Sequence, residues 1–427
     1  MTSLSLGIIS MHTSPIDRPG SGDAGGMNVV ESAQARALAG LGHRVHLVTR
    51  RSDPGQPDFI DLGDGVDLHI LDAGPPTRLA KSDIDEHIEQ FRDGLWDLAQ
   101  RCAWDVIHSH HWMSGVAALP VASHRGIPHV QSFHSVAALP GTPLSEGEPP
   151  ESVHRVAGEH LAALESDAVV AISAAEARTV VERCGAEPKC VRIIWPGVDH
   201  DIFRPLAAGE LPWTLPGTDA GKARTSADVG ADNGYVVFAA RLQPLKGPDL
   251  ALRALAHVEK WHRPHLLIAG DTAEDFAGYA RELHHLVDRL GLAQDVTFMG
   301  PLEREDLAVV LRGARLLLVP SHSETFGLIA LEGAASGIPV LASSAGGLRE
   351  AVAHRETGFL IDSREPEDWG KAMTHLINDP DLAARMGTVA RIHALRFEWT
   401  WAARRLEALY RDAIRAASDE CAVELGL

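Results

Sequence analysis

At 427 residues, 45% of them apolar, the chain is long enough for two or three domains, each with a full hydrophobic core. Its 58 acidic residues outweigh 39 basic ones, for a formal charge of −19. That balance argues against a nucleic-acid or anionic-membrane binder, because either needs a basic stripe.

Short apolar runs alternate with helical patterns, the signal of parallel sheets flanked by helices. Strands are expected at Leu4–Ser10, Arg44–Thr49, Val66–Leu71, Val106–His110, His129–Phe133, Ala168–Ile172 and Val191–Ile194. Helical stretches such as Val29–Leu41 and Ile84–Arg101 lie between them. The stretch from Arg204 to Asn233, rich in Pro, Gly, Ala and Thr, breaks the rhythm. Strands then resume at Val236–Ala240, His265–Ala269, Asp295–Met299, Leu316–Pro320, Pro339–Ala342 and Gly358–Ile361. Helices are expected over Pro248–Lys260, Ala277–Leu290, Arg304–Ala314, Leu328–Ala335 and about Thr400–Ala417. The fold class is α/β, with two doubly wound Rossmann-like domains facing a central cleft. The expected divisions are 1–203, 204–398 and a last helix over 399–427. Ligands in such sheets bind beyond the carboxyl ends of the strands, so the strand-end loops are where chemistry is sought.

The first such loop, HTSPIDRPGSGDAGGMNVV, places His12 two residues past a strand. It then runs Asp23-Ala-Gly25-Gly26-Met-Asn28 into an apolar helix. Paired glycines at a helix start let the backbone approach a phosphate, and Asp or Asn can cap the helix. His108, His110 and His111 follow in WDVIHSHHW; with no further ligand cluster or Cys pair beside them, they are expected to line the cleft or core and not to bind a metal. His134-Ser135 ends the next strand. In the second half, AARLQPLKGPD brackets a turn with Arg241 and Lys246, two cations at a strand end where a diphosphate leaving group would need them. Lysine occurs only at 81, 189, 222, 246, 260 and 371, which makes Lys246 more conspicuous.

The densest signal is SETFGLIALEGAASGIPV, residues 323–340. Glu324 precedes Phe326-Gly327-Leu328, where a helix begins whose first amides are unpaired and aimed outward. Glu324 can accept from sugar hydroxyls beside those amides, and Glu332, about two turns in, from a ribose. Gly346-Gly347 reads as a structural turn capping a helix. Four scattered cysteines without a Cys-x-x-Cys pair predict reduced thiols. No leader segment precedes LSLGIIS, and no apolar run approaches a membrane span, so a soluble cytoplasmic protein is expected.

Together, HTSPIDRPGSGDAGGMN, HSHHWMSG, WPGVDHDIFRP, RLQPLKGPD and the 323–340 block resemble the family 4 retaining glycosyltransferases of GT-B fold. Within that family the likeness is greatest to the branch that glycosylates an inositol phosphate at the start of mycothiol biosynthesis. It runs over nearly the whole chain. The resemblance implies that Arg241 and Lys246 hold the donor diphosphate near Gly25, Gly26 and Asn28. It places Glu324 and His134 on the transferred sugar, with Phe326, Gly327 and Leu328 at the helix start. Glu332 takes the ribose and the backbone near Leu302 the base. Lys81, His111, Ser135 and Arg155 match positions that grip the acceptor phosphate, with His12 and Asp23 nearby. The branch has tyrosine where His111 stands and threonine where Ser135 stands, and it continues differently at Leu139–Pro143. A final helix returning to the first domain is usual in the family, and WTWAARRLEALYRDAI suits that role.

These residues lead to the expectation of a retaining transfer from a nucleoside diphosphate sugar, UDP favoured, to a small polar acceptor such as inositol phosphate. No cofactor is required in this scheme, and Mg2+ is permitted without being essential. No nucleic-acid or membrane partner is expected, and a homodimer is allowed. A GDP sugar, or an aminocyclitol or small thiol or betaine acceptor, fits the same chemistry. From another class, a nucleotide-sugar 2-epimerase shares the architecture and needs no acceptor.

Overall fold

The computed structural model describes residues 2–18, 24–138, 152–213, 234–272, 276 and 278–424, with side chains described as far as residue 419. Asp23 and Leu139–Pro143 lie outside these residues. The chain divides into two compact units. The first takes residues up to Asp17, Gly26–Gly197 and the chain from Glu398 onward; the second takes Val198–Phe397 together with Arg18, Ala24 and Gly25.

The first unit is built on an eight-stranded sheet. Its strands are β1 (Ser5–Ser10), β2 (Arg44–Arg50), β3 (Phe59–Asp61), β4 (Val66–Leu71), β5 (Val106–His110), β6 (His129–Ser132), β7 (Ala168–Ala171) and β8 (Val191–Ile193). They lie in the order β3-β4-β2-β1-β5-β6-β7-β8. All neighbours are parallel except the short edge pair β3–β4. Helices cover both faces, so β1, β5, β6 and β7 are buried along almost their whole length; β1 and β7 read as near-continuous apolar runs, while β5 (VIHSH) and β6 (HVQS) also bury polar side chains.

One sheet face packs on Ile88–Cys102, whose Ile88, Phe91, Leu95, Leu98 and Ala99 form a buried helical stripe. Trp112, Met113 and Phe133 join that core. The other face packs on Gly26–Gly40 and on the final helix, Trp399–Glu424, through Ala402, Ala403, Leu406 and Tyr410.

The second unit has six strands, all parallel: β9 (Tyr235–Ala239), β10 (His265–Ala269), β11 (Val296–Gly300), β12 (Leu317–Val319), β13 (Val340–Ser343) and β14 (Gly358–Ile361). Their order, β11-β10-β9-β12-β13-β14, reverses direction between β9 and β12. The first sheet reverses in the same way between β1 and β5. These reversals are the topological switch points at which open α/β sheets bind ligands. The second core centres on Phe238, Leu255, Leu286, Trp369 and Met373.

Several boundaries differ from expectation. The helix from Pro248 ends at Ala256, well short of Lys260. The expected Ile84–Arg101 helix is interrupted by a 3-10 turn at Asp85–His87. Helices Pro366–Asn378 and Pro380–Ala394 were not anticipated; each begins at a proline, which suits a first helical position because the missing N–H would be unpaired there anyway. The antiparallel strand β3 was not anticipated either.

Candidate active site

In the second unit the loops after β9, β12 and β13 meet. The β9 loop turns at Pro244–Lys246 and passes through Gly247 at φ 70°. A Cβ on Gly247 would sit 2.3 Å from the Pro320 carbonyl oxygen, so only glycine lets this loop approach the β12 loop. The backbone then joins the two, His322 N–H donating to the Leu245 carbonyl at 2.8 Å.

Across this junction the Lys246 ammonium meets Glu324 Oε1 at 2.7 Å, and the Ser321 hydroxyl donates to the same oxygen at 2.8 Å. Both members of the ion pair are largely shielded, 18% and 12% exposed, so their attraction is screened less than that of a surface pair. Arg241 lies half-buried at the start of the β9 loop.

Just beyond Glu324 the helix Leu328–Ala335 begins after Gly327, which adopts φ 97°. Its first backbone bonds run to the Gly327 carbonyl from Ala330 and Leu331, so the amides of Leu328 and Ile329 precede the helix's hydrogen-bond ladder. The Phe326 side chain is buried and stacks edge-on against Phe397 at 5.7 Å, which leaves its backbone as the part a ligand can reach. Glu332 is the fifth residue of the helix, just over one turn in and not two. Its Oε1 accepts from Arg304 at 2.8 Å. Burial pushes its carboxyl pKa up and Arg304 pulls it back. Leu302 lies in the three-residue connection from β11 to the Arg304 helix.

Gly346 and Gly347, read from sequence only as a structural turn, and Arg364, not read at all, hold this half-site together. The Gly347 amide donates to the Glu324 carbonyl at 2.9 Å. A Cβ on Gly346, at φ 50°, would stand 2.0 Å from that same carbonyl oxygen. Gly346-Gly347 therefore cradles the Glu324 loop as well as turning the chain. Arg364 ties the β12 and β13 ends by donating to the Pro320 carbonyl at 2.6 Å and to Ser343 Oγ at 3.1 Å. A double glycine was visible in sequence, but what it packs against was not; Arg364 carried no local signal.

In the first unit, residues from the ends of β1, β5 and β6 converge. The His12 and His111 rings lie 4.1 Å apart. His111 is buried at φ 71° immediately before the helix Trp112–Arg125, and among the described residues neither ring nitrogen has a hydrogen-bond partner. Burial holds its pKa well below the usual histidine range, and the neighbouring charges of His12, Lys81, Arg155 and His134 push it the same way. Lys81 opens a four-residue helix. Arg155 is buried; its Nε donates to Glu159 Oε1 at 2.8 Å and its Nη2 to Ser135 Oγ at 3.2 Å. Glu159, four residues on along the same helix, also accepts from the Ala137 amide at 2.9 Å, and so fixes both the guanidinium and the Ser135 loop.

His134 sits at φ 59° after β6, and its Nε2 lies 2.7 Å from His110 Nδ1. Asn28 is a residue of the helix Gly26–Gly40 and not its cap. Its side-chain amide donates to Thr13 Oγ1 at 2.9 Å and to the Ser14 carbonyl at 2.6 Å, which pins the β1 loop. Gly25 groups with the second unit and Gly26 opens that helix in the first. His108 is a core histidine, bonded to Tyr410 and Ser132.

Elsewhere in this unit His46, His69 and Cys102 bring three potential metal-ligand atoms within 4.8 Å of one another. His46 Nδ1 and His69 Nε2 are 3.1 Å apart and satisfy each other as a hydrogen bond.

Residues 24–202 match the model of Glycosyltransferase Family 4, and residues 221–393 that of Glycosyl transferases group 1. A D-inositol 3-phosphate glycosyltransferase from Stackebrandtia nassauensis is 38% identical over 418 residues, covering 96% of this chain and 92% of the relative. The chain is a family 4 glycosyltransferase of the GT-B fold. A second relative of the same name, from Streptomyces coelicolor, is 36% identical to this glycosyltransferase, over 96% of the chain and 92% of the relative. Among solved structures, a sucrose-phosphate synthase from Thermosynechococcus elongatus has a TM-score of 0.84 at 26% identity, covering 96% of this chain and 99% of its own. An Anabaena protein, HepE, crystallised with UDP and glucose, has a TM-score of 0.72 at 19% identity, covering 96% and 100%, and shows the shared fold. Among the described residues no helix is long and apolar enough to cross a membrane.

Proposed function

We propose that this glycosyltransferase moves a sugar from a UDP sugar to D-inositol 3-phosphate with retention at the anomeric carbon. The observation that carries the donor half of this reading is the convergence of Lys246, Glu324 and the amide end of helix Leu328–Ala335 at the β9/β12 switch point. It supplies a cation for a diphosphate, and a carboxylate beside unpaired amides for sugar hydroxyls. The acceptor half rests on Lys81, Arg155 and Ser135 as phosphate ligands and on the activity named for the inositol phosphate relatives. UDP is favoured by the resemblance to that branch.

In the reaction, the anomeric C–O bond to the diphosphate breaks, and its electron pair leaves on the diphosphate oxygen. Arg241 and Lys246 stabilise that charge as it develops. The acceptor hydroxyl bonds to the anomeric carbon on the face the diphosphate vacates, and the departing oxygen takes its proton. Glu324 holds sugar hydroxyls in this scheme and does not attack. Its Oε1 already carries a lysine ammonium and a serine hydroxyl, both of which draw electron density away from a nucleophile. Glu332 and the backbone near Leu302 take the ribose and base, and His134 meets the transferred sugar.

Two cations do the work a divalent metal would do at the diphosphate, so turnover is expected to persist in EDTA. Loss of turnover that Mg2+ restores would overturn that part. The acceptor assignment is tested by Arg155→Ala: the KM for inositol phosphate should rise at least tenfold, with the donor KM nearly unchanged. An unaltered acceptor KM would remove Arg155 from the acceptor site.

A further inference from the structure

The register of the first sheet sets several metal-ligating side chains beside one another, away from the strand-end loops described above. β2 and β4 are parallel neighbours with His46 opposite Asp67, and His69, two residues further along β4, stands on the same face as Asp67. The helix Ile88–Cys102 packs in the core on that face, and its last residue brings a thiol. One ligand atom from each of His46, His69 and Cys102 lies within 4.8 Å of the other two. His46 Nδ1 is 3.1 Å from His69 Nε2 and 3.7 Å from Asp67 Oδ2. Ligands held about 2.0–2.3 Å from a tetrahedral zinc stand about 3.3–3.8 Å apart. His46 is near that spacing from both neighbours, and the thiol needs only a short approach.

The protein groups alone leave this cluster unfinished. Asp67 is 2% exposed; its Oδ2 pairs with Arg44, yet Oδ1 is buried and has no hydrogen-bond partner among the described residues. Native proteins seldom leave such an oxygen bare, and a bound ion is one of the things that complete it. Cys102 is half-buried and forms no disulfide. The contact between the two imidazoles uses one N–H and one lone pair, so at least one facing nitrogen is unprotonated, as a ligand must be. Two imidazoles, a thiolate and a carboxylate suit zinc, whereas magnesium and calcium take oxygen donors. His46 and Asp67 lie toward the amino ends of their strands, and Cys102 comes before β5. The loops of the candidate active site follow the carboxyl ends of β1, β5 and β6, so the cluster's role is structural.

We infer that His46, His69, Cys102 and Asp67 Oδ1 form a tetrahedral zinc site that ties the end of the helix Ile88–Cys102 to β2 and β4 and takes no part in the transfer. As zinc binds, it replaces the hydrogen bond between the imidazoles. The ring proton between them moves to the outer nitrogen of its own ring, and the Cys102 thiol proton leaves to solvent. Arg44 stays on Asp67 Oδ2 and orients the carboxylate from outside.

The test titrates the reduced, chelator-treated full chain with Co2+, whose absorption reports its ligands, and then with Zn2+. The wild type should show thiolate-to-cobalt charge-transfer absorption and the strong visible bands of tetrahedral cobalt, both removed by zinc. Zinc should also raise the Tm by at least about 2 °C. Cys102→Ser should abolish the charge-transfer absorption. His69→Ala and Asp67→Asn should each weaken zinc binding at least about tenfold, read by competition with a chromophoric chelator. Wild-type cobalt spectra without thiolate absorption overturn the site even if the variants do not fold. So does absorption that survives Cys102→Ser, or wild-type zinc affinity in His69→Ala. Wild-type affinity in Asp67→Asn overturns the four-ligand set, and a Tm indifferent to zinc overturns the structural role.

Discussion

Lys246 and Glu324 hold each other across two loops, so in the proposed reaction a donor diphosphate would compete with Glu324 for the lysine. Removing Lys246 therefore both strips the leaving group of a cation and leaves Glu324 shielded without its partner, as removing one side of such a pair generally does. Lys246→Ala, and separately Arg241→Ala, should lower kcat by about 10²–10³, the range seen when one charge-stabilising donor is lost. Acceptor-dependent release of diphosphate measures this, and full activity in both variants would refute the donor site. Glu324→Ala in azide should give no azido-sugar of inverted configuration; its appearance would make Glu324 the nucleophile. At this scale the sequence was legible where a residue type is rare or sits in a dense motif, as with Lys246 and the two glutamates. It was silent on Arg304, Arg364 and Glu159, whose partners include groups 28, 44 and 22 positions away, because ordinary charged residues carry no mark of what folding brings beside them.

At the scale of elements, the site depends on loops that approach too closely for side chains. Gly346→Ala would put a methyl group 2.0 Å from the Glu324 carbonyl oxygen at a backbone angle that alanine seldom adopts, so the Glu324 loop must move. The expected result is a donor KM raised at least tenfold, with stability lowered by roughly 1–3 kcal/mol. A donor KM equal to wild type, measured by initial rates, would show that the double glycine only turns the chain. The regular elements were mostly readable from sequence, because most of the buried parallel strands are short apolar runs and the Leu328 helix announces itself by its glycine start. The early end at Ala256 was not, since His257 and the residues after it continue a plausible helical composition. Strand β3 is three residues long and half exposed, too short for any periodicity to register.

For the whole molecule, the buried histidines dominate the response to acid. His108 and His129 are fully shielded and bonded to hydroxyls on both ring nitrogens, and burial lowers each pKa to about 3. In the unfolded chain they take up protons near 6.5, so between pH 6.5 and 3 the unfolded state binds more protons and stability falls as pH falls. The slope is about 1.4 kcal/mol per pH unit for each such histidine. Glu176 acts oppositely. Burial raises its pKa to about 7, so its contribution is full below about 4.5 and is lost as pH rises through 7. With the buried histidines His108, His110, His111, His129 and His134 lowered and, among the buried glutamates, Glu31, Glu176 and Glu332 raised, urea midpoints should drop from pH 6.5 to 5, and His129→Asn should flatten that drop; a midpoint independent of pH would contradict the burial of these rings.

Acceptor-dependent, retaining transfer can be read in a single experiment. The protein is incubated with UDP sugars, and with GDP sugars as comparison, in the presence and absence of D-inositol 3-phosphate, followed by NMR of the anomeric proton. UDP should be released only when the acceptor is present, and the product should keep the anomeric configuration of the donor. Isomerised nucleotide sugar from donor alone, or a product of inverted configuration, would contradict such transfer.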